Sequence, residues 1–171
     1  DPVATATACF MVGANRTNML TDARLGGGAL PTLDAPDDPS GPFARSPFAR
    51  FLGIRVGDDG GLVMPFSERI IGNPMLPAIH GGMTGAFLET AAIVGVTREL
   101  GAAAPPKPIG LTINYLRSGR ARDSHARVSI VKLGRRVVAF EAQAWQDDPA
   151  KPIASAFGHF MLRQAPDADE E

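Results

Sequence analysis

The hydrophobic positions of residues 82–100 recur with the spacing of an α-helix. One apolar stripe runs along this segment, and the residues on its opposite side are apolar as well. The stripe consists of Met83, Ala86, Phe87, Thr90, Ile93, Val94 and Thr97, and the opposite side holds Leu88, Ala91, Ala92 and Val96. A helix that is apolar nearly all round is buried, so the pattern predicts a central buried helix that ends near Gly101.

After residue 108 apolar and polar positions alternate, which is the pattern of half-buried β-strands. Four strands are predicted, over residues 109–117, 124–133, 136–146 and 152–163. Gly134 and residues 147–149 have the composition of tight turns, and consecutive strands joined by short turns pair antiparallel. The sequence therefore predicts an α+β fold, in which an antiparallel sheet wraps around one buried helix.

The chain before the central helix divides into two parts. Residues 1–45 are rich in Gly, Pro, Asp, Thr and Ala without a sustained hydrophobic period, and are predicted to form a flexible N-terminal extension. Order is predicted to begin at Ser46, which caps a short helix, and to continue through two short strands and a loop over residues 72–79. We expect one domain over residues 46–164, followed by an acidic tail over residues 165–171.

Charge and cysteine content exclude several kinds of partner. The formal net charge is −1, from 17 basic and 18 acidic residues, so no global field attracts nucleic acid or an anionic membrane. No window approaches the roughly 20 apolar residues of a spanning helix. The single cysteine, Cys9, cannot form an internal disulfide, and no residue cluster has metal-ligand spacing. We expect a soluble cytoplasmic protein that has no metal site and binds neither nucleic acid nor membrane.

Glu89 is the only ionisable residue between Met83 and Val96, inside the predicted buried helix. A carboxylate is costly in such a place unless it is paired, neutralised or functional. Two interpretations follow from the residues alone. Glu89 either points into a polar gap and pairs with an arginine, or it carries chemistry.

The predicted helix begins at His80, Gly81 and Gly82. A helix start offers N–H groups without partners and a partial positive charge, and glycine lets a ligand approach the backbone closely. These residues suit an oxyanion hole, in which an N–H group stabilises a carbonyl oxygen that becomes negative. The alternative is that the two glycines only form a tight turn from loop to helix.

The segment HGGMTGAFLE resembles the hotdog-fold acyl-CoA thioesterases, specifically their PaaI-like branch. That branch has a His-Gly-Gly turn at the start of its central helix and an Asp or Glu after six further residues. The resemblance extends from about Phe48 to Leu162 and includes PIGLTINYLRSGR and GRRVVAFEAQAW. It implies a hotdog fold and hydrolysis of an acyl or aryl thioester to acid and free thiol, without a metal or redox cofactor.

The resemblance also implies roles for individual residues. The Gly81 N–H would polarise the thioester carbonyl, Glu89 would activate water or attack as nucleophile, and His80 would orient the turn or the thioester. The family tends to carry an asparagine before this histidine, and Asn73 is the candidate, one residue further away than is common. Where related enzymes often have a hydroxyl one turn after the acid, this chain has Ile93. The residues predicted to bind substrate are Gly82, Met83, Thr84, Phe87 and Thr90, with Arg117 and Arg120 at the phosphates of coenzyme A.

Gly81 and Glu89 lie too far apart on one helix to act on one thioester. Eight residues correspond to about 12 Å of axial rise and about 80° of rotation. We therefore predict a homodimer with two composite sites, in which Gly81 of one chain faces Glu89 of the other. Hotdog proteins form such dimers, often paired again into tetramers.

Two other functions stay open. A hotdog module that binds acyl-CoA without turning it over is compatible with Ile93 and with the shifted Asn73. A hotdog hydratase or dehydratase fits less well. Those enzymes place a catalytic histidine well ahead of the acid, with a Pro-Gly turn between, whereas His80 directly precedes the glycine pair.

Overall fold

Two α-helices and nine strands form in residues 4–9, 46–73, 75–101 and 105–162, which the computed structural model describes. The helices are α1 (Pro47–Phe51) and α2 (Gly81–Glu99). The strands are β1 (Ala4–Cys9), β2 (Arg55–Val56), β3 (Leu62–Met64), β4 (Ile71–Asn73), β5 (Leu76–Ile79), β6 (Lys107–Tyr115), β7 (Ser124–Leu133), β8 (Val137–Trp145) and β9 (Ala154–Met161). One turn of 3-10 helix, Glu68–Ile70, precedes β4.

Seven of the strands form one antiparallel sheet in the order β1-β6-β9-β8-β7-β3-β2. The three strands β7, β8 and β9 pair with one another in chain order, antiparallel and through short links, as predicted. β6, the first strand after α2, pairs with β9, the last strand. The four predicted strands and the predicted α+β architecture are therefore confirmed.

The short helix and hairpin predicted after Ser46 are confirmed. The Ser46 side chain accepts a hydrogen bond from the Ala49 N–H at 3.2 Å, and Pro47 occupies the first helical position. Gly53, just beyond the helix, has a φ of +65°, a backbone conformation that favours glycine. β2 and β3 then pair antiparallel around the Asp-Gly turn.

The prediction of a loop over residues 72–79 is wrong. β4 and β5 form a two-stranded antiparallel hairpin in which Ile71 pairs with Ile79. The hairpin is tied to the end of the large sheet, because the Ile79 N–H donates to the Gly119 carbonyl at 2.8 Å and Ala78 forms a β-bridge with Arg120. These long-range bonds order a segment whose local composition resembles a loop.

Residues 4–9, predicted as part of a flexible extension, form an edge strand instead. β1 pairs with β6 in continuous register, from Ala4 opposite Tyr115 to Cys9 opposite Gly110. An edge strand gains its order from the ladder of its neighbour rather than from its own hydrophobicity. The remainder of the predicted extension, residues 10–45, and the predicted tail, residues 165–171, lie outside the described residues.

The predicted central helix is confirmed as α2, which packs along one face of the large sheet. Its buried residues are Thr84, Gly85, Phe87, Leu88, Ala91, Ala92, Val94 and Val96. The opposite face is only partly buried in the single chain, which departs from the prediction of burial all round. This half-exposed face comprises Met83, Ala86, Thr90, Ile93 and Thr97.

Two glycines let α2 lie directly on the sheet. A Cβ atom placed on Gly85 would lie 2.8 Å from Cδ1 of Ile113, and one placed on Gly95 would lie 2.9 Å from Cβ of Val128. Contacts this short do not occur between real side chains. The terminal methyl of Ile113 can rotate away from a side chain on Gly85, whereas Cβ of Val128 is fixed to its strand, so a larger residue at position 95 forces the helix away. Gly95 therefore fixes the distance of α2 from β7.

Gly95→Ala should destabilise the protein, although alanine favours a helix by about 1 kcal/mol over glycine. The added methyl meets the branched, rigid Cβ of Val128. We expect a loss of about 1–2 kcal/mol in the free energy of unfolding, measured by urea denaturation. Gly110→Ala is the control, because no atom lies within 4 Å of its added Cβ. A Gly95→Ala protein as stable as the wild type would contradict the tight contact.

Candidate active site

The turn that begins α2 is held by backbone hydrogen bonds on both sides. The His80 N–H donates to the Ile70 carbonyl at 2.8 Å, and the Ile79 N–H donates to the Gly119 carbonyl at 2.8 Å. Gly72 lies against the same histidine, since a Cβ on Gly72 would lie 2.8 Å from Cδ2 of His80. The hairpin and the sheet together therefore fix where the helix starts.

Three of the four N–H groups at the start of α2 have acceptors. The N–H groups of Met83 and Thr84 donate to the His80 carbonyl at 2.9 Å and 3.1 Å. The Gly82 N–H donates to Nδ1 of His80 at 3.0 Å, so the histidine caps the helix and a neutral ring carries its proton on Nε2. Within the described residues, the Gly81 N–H is left without an acceptor.

Glu89 lies in the third turn of α2, next to the half-exposed face, and is itself half-buried. Its carboxylate forms no ion pair with any cation of the described residues. Burial alone raises the pKa of the Glu89 carboxyl above its ordinary value of 4.5. The interpretation that Glu89 merely pairs with an arginine therefore finds no partner in this part of the chain.

Tyr115, the last residue of β6, contacts the helix start and was not among the residues that sequence reasoning selected. Its hydroxyl donates to the Gly81 carbonyl at 2.8 Å, across 34 positions of sequence. The ring also lies against the glycine, because a Cβ on Gly81 would be 3.5 Å from Cε1 of Tyr115. The alternating pattern predicts the strand, but no local signal connects this tyrosine to a turn so far away.

The other predicted residues of the helix divide between the core and the half-exposed face. Met83 and Thr90 lie on the half-exposed face, where a ligand or a second chain can reach them. Thr84 is buried, and Phe87 is fully buried among core side chains, so neither lies at the surface where a substrate would enter. Asn73 lies in β4, and its backbone pairs with that of Ala78.

Arg117 and Arg120 line one cleft of about 510 Å³ beside the hairpin that leads into α2. The two aspartates of this cleft are already paired, Asp147 with Arg122 at 2.7 Å and Asp148 with Lys151 at 3.4 Å. Neither Arg117 nor Arg120 has a carboxylate partner in the described part of the chain. The cleft therefore presents two guanidinium groups that an anionic ligand can reach.

The position of Arg120 is set by a side-chain amide. The Arg120 N–H donates to Oε1 of Gln146 at 2.9 Å, and Nε2 of Gln146 donates to the Arg120 carbonyl at 2.8 Å. The Arg117 guanidinium donates to the Pro152 carbonyl at 2.7 Å. The guanidinium of Arg117 and the backbone of Arg120 are thus held at the edge of the cleft.

An antiparallel sheet that holds one long helix, with a glycine pair at the helix start, defines the hotdog class of fold. The family model for the acyl-CoA thioesterase N-terminal domain matches residues 72–161, just over half of the chain. The chain belongs to this family of thioester hydrolases, and its fold is the hotdog fold. Residues 72–161 include both the helix start and Glu89.

Solved structures of similar proteins agree with the hotdog fold. A protein from Chromobacterium violaceum is 32% identical over 71% of this chain and 87% of its own, with a TM-score of 0.58. A phenylacetic acid degradation-related protein from Ralstonia eutropha is 26% identical over 67% of this chain and 89% of its own, with a TM-score of 0.58. These likenesses place the chain in the PaaI-like branch. No curated protein matches the sequence.

A third similar structure contains a ligand. The Bacillus halodurans protein, crystallised with CoA, is 26% identical over 67% of this chain and 74% of its own, with a TM-score of 0.58.

The described residues contain no helix that is long and apolar enough to cross a membrane. They also contain no group of three side chains that could hold a metal ion.

Glu89→Gln should raise the melting temperature at neutral pH. Because burial raises the pKa of Glu89 in the folded state, the folded protein loses stability as pH rises from the ordinary value of 4.5 through the raised pKa. Glutamine removes this penalty, so the gain should be full at pH 7 to 8 and vanish below about pH 4. Calorimetry across this pH range checks it.

Glu141→Gln serves as the matched control, because Glu141 is exposed on β8. We expect its melting temperature to follow that of the wild type at every pH. A Glu89→Gln protein that is less stable than the wild type at pH 7 would show that the carboxylate is satisfied in the native state.

Proposed function

We propose that the protein hydrolyses acyl-CoA or aryl-CoA thioesters to a carboxylic acid and free coenzyme A. Two observations on α2 carry the proposal: within the described residues, the Gly81 N–H at the helix start has no acceptor and the half-buried Glu89 carboxylate has no ion-pair partner. The first group suits a carbonyl oxygen that becomes negative, and the second suits activation of a nucleophile. Membership of the thioesterase family supports the same assignment.

In the proposed reaction the thioester carbonyl oxygen accepts a hydrogen bond from the Gly81 N–H. Glu89 takes a proton from water as the water oxygen bonds to the carbonyl carbon, or its carboxylate attacks that carbon to give a mixed anhydride that water then opens. The C–S bond breaks, the thiolate takes a proton, and the acid and free coenzyme A leave. The attacking electron pair comes from water or Glu89, the C–S pair leaves with the thiolate, and no atom changes oxidation state, so the proposed step uses neither a metal nor a redox cofactor.

His80 and Asn73 take supporting roles in this proposal. His80 caps the helix through Nδ1, which leaves its Nε2–H free to face the thioester. Asn73, in the strand beside the turn, is proposed to bind the thioester or the attacking water. Because Ile93 replaces the hydroxyl found in related enzymes, Thr90 on the half-exposed face is proposed to hold that water.

The active unit in this proposal is a homodimer. Gly81 and Glu89 of one chain are separated by about 12 Å along the helix axis, which exceeds the reach of a thioester group. The half-exposed face of α2 is apolar and lies next to Glu89, so a second helix that packs there buries Met83, Ala86 and Ile93. Each of two sites then combines Gly81 of one chain with Glu89 of the other, and two such dimers can pair into a tetramer.

The coenzyme A part of the substrate is proposed to lie in the cleft beside β5. Its phosphates would contact Arg117 and Arg120, whose guanidinium groups form no ion pair with a carboxylate of the described residues. The Bacillus halodurans protein with bound CoA supports this ligand class for the fold. A cytoplasmic location, where acyl-CoA is made and used, accords with the proposal.

Glu89→Gln and Glu89→Ala should lose at least about 100-fold in kcat, because the activated nucleophile is removed. A thiol trap with a panel of acyl-CoA and aryl-CoA substrates measures this loss and narrows the acyl group. In the wild type, kcat should rise with pH through the raised pKa of Glu89, with a midpoint above 4.5. Full activity in both variants would contradict the role of Glu89.

The same panel distinguishes the enzyme from a binding module. Tight binding of acyl-CoA by the wild type without release of thiol would contradict hydrolysis. A single turnover in ¹⁸O-labelled water then tests a nucleophilic role for Glu89. Transfer of ¹⁶O from Glu89 into the acid, with ¹⁸O in the carboxylate, identifies a nucleophile, whereas ¹⁸O in the acid is expected both of a general base and of an anhydride that water opens at the acyl carbon.

Mixing two inactive variants tests the composite site. Gly81→Pro removes the N–H donor yet suits the first helical position, and His80 has the extended ψ of 132° that a residue before proline requires. A dimer of one Gly81→Pro chain and one Glu89→Gln chain has one intact site. About half of randomly formed dimers are mixed, and each mixed dimer has one intact site out of two. Co-expressed chains should therefore regain about one quarter of wild-type activity. No recovery in purified mixed dimers would place both groups in one chain.

A further inference from the structure

We infer that Tyr115 is a positioning residue that aligns the oxyanion donor at the start of α2. The inference rests on the proposed thioesterase function and adds a residue to its site. The observation behind it is a hydrogen bond of 2.8 Å from the Tyr115 hydroxyl to the Gly81 carbonyl. This bond joins the end of β6 to the turn that presents the Gly81 N–H.

The peptide group between Gly81 and Gly82 is held at both ends. Its carbonyl accepts from the Tyr115 hydroxyl at 2.8 Å, and its N–H donates to Nδ1 of His80 at 3.0 Å. The preceding peptide, which carries the Gly81 N–H, has its carbonyl bonded to the N–H groups of Met83 and Thr84. Among the N–H groups at the start of α2, that of Gly81 is thus the one without an acceptor in the described part of the chain.

A glycine pair needs such external restraint. Glycine has the widest backbone freedom of any residue, so two in sequence form the least restrained dipeptide. An oxyanion hole lowers the barrier only when its donor is already aimed at the position of the developing charge. Tyr115 and His80 supply the alignment that the sequence Gly81-Gly82 lacks, and they do so from opposite ends of one peptide.

Tyr115 itself is firmly anchored. It pairs with Ala154 in the sheet, and the next two residues, Leu116 and Arg117, both donate their N–H groups to the Ile153 carbonyl. Gly85 leaves room for the phenol, because a Cβ there would lie 3.2 Å from the Tyr115 hydroxyl. Burial raises the pKa of this phenol above its ordinary 10.0, so the hydroxyl keeps its proton as a donor at neutral pH.

Tyr115→Phe tests the inference, because the ring and its packing on Gly81 and Gly85 remain while the hydrogen bond is lost. We expect kcat for an acyl-CoA substrate to fall roughly threefold to tenfold, the range for one hydrogen bond. KM and the acid limb of the pH profile should stay unchanged, since neither the coenzyme A cleft nor Glu89 is altered. Ser129→Ala, which removes an exposed hydroxyl on β7, is the control and should keep wild-type kcat.

A structural readout separates failure of this inference from failure of the proposed function. The ¹⁵N–¹H resonance of Gly82, whose peptide carries the bonded carbonyl, should shift in Tyr115→Phe. An unchanged Gly82 resonance, or an unchanged kcat in an active protein, overturns the role of Tyr115. So does a loss of kcat accompanied by a large drop in melting temperature, because that result marks a purely structural residue. A wild type with no turnover contradicts the proposed function, while the Gly82 resonance still tests the hydrogen bond.

Discussion

The direct contact between α2 and the sheet is the constraint on which the rest of the structure depends. The contact depends on Gly95, which faces Cβ of Val128 in β7 with no room for a side chain, and Gly85 lies against the terminal methyl of Ile113 in β6. The position of α2 determines the direction of its first N–H groups and the burial of Glu89. It also determines whether the Tyr115 hydroxyl reaches the Gly81 carbonyl. The geometry of the candidate site therefore depends on how closely α2 packs against the sheet.

The fold leaves two polar groups of α2 without partners in the described part of the chain. One is the Gly81 N–H, a donor at the positive end of the helix, and the other is the Glu89 carboxylate, whose pKa is raised by burial. Partial burial makes the charged form of Glu89 costly, and the described residues contain no fully buried side-chain polar atom without a partner. In the proposed function a thioester supplies both partners, a carbonyl oxygen that becomes negative for the Gly81 N–H and a carbon that water activated by Glu89 attacks.

Most of the fold follows from periodicity in the sequence, and the exceptions have physical causes. The long helix and the four later strands have enough apolar positions for a period of 3.6 or 2 to stand out. β1 has the sequence ATATAC, whose small side chains give little contrast, and its order comes from pairing with β6. The prolines near β5 favour a loop locally, yet bonds to Gly119 and Arg120 order the hairpin. In the candidate site, the glycine turn and Glu89 can be predicted from the sequence. Tyr115 cannot, because its contact with Gly81 joins residues 34 positions apart.

The central claim is that one thioester carbonyl meets the Gly81 N–H of one chain and Glu89 of another. A crystal structure with a ketone analogue of acyl-CoA, in which a methylene replaces the sulfur, tests it directly. The account predicts the ketone oxygen about 3 Å from the Gly81 nitrogen, with the carbonyl carbon facing Glu89 of the partner chain. A ketone bound by Gly81 and Glu89 of the same chain, or bound away from the helix start, would contradict it.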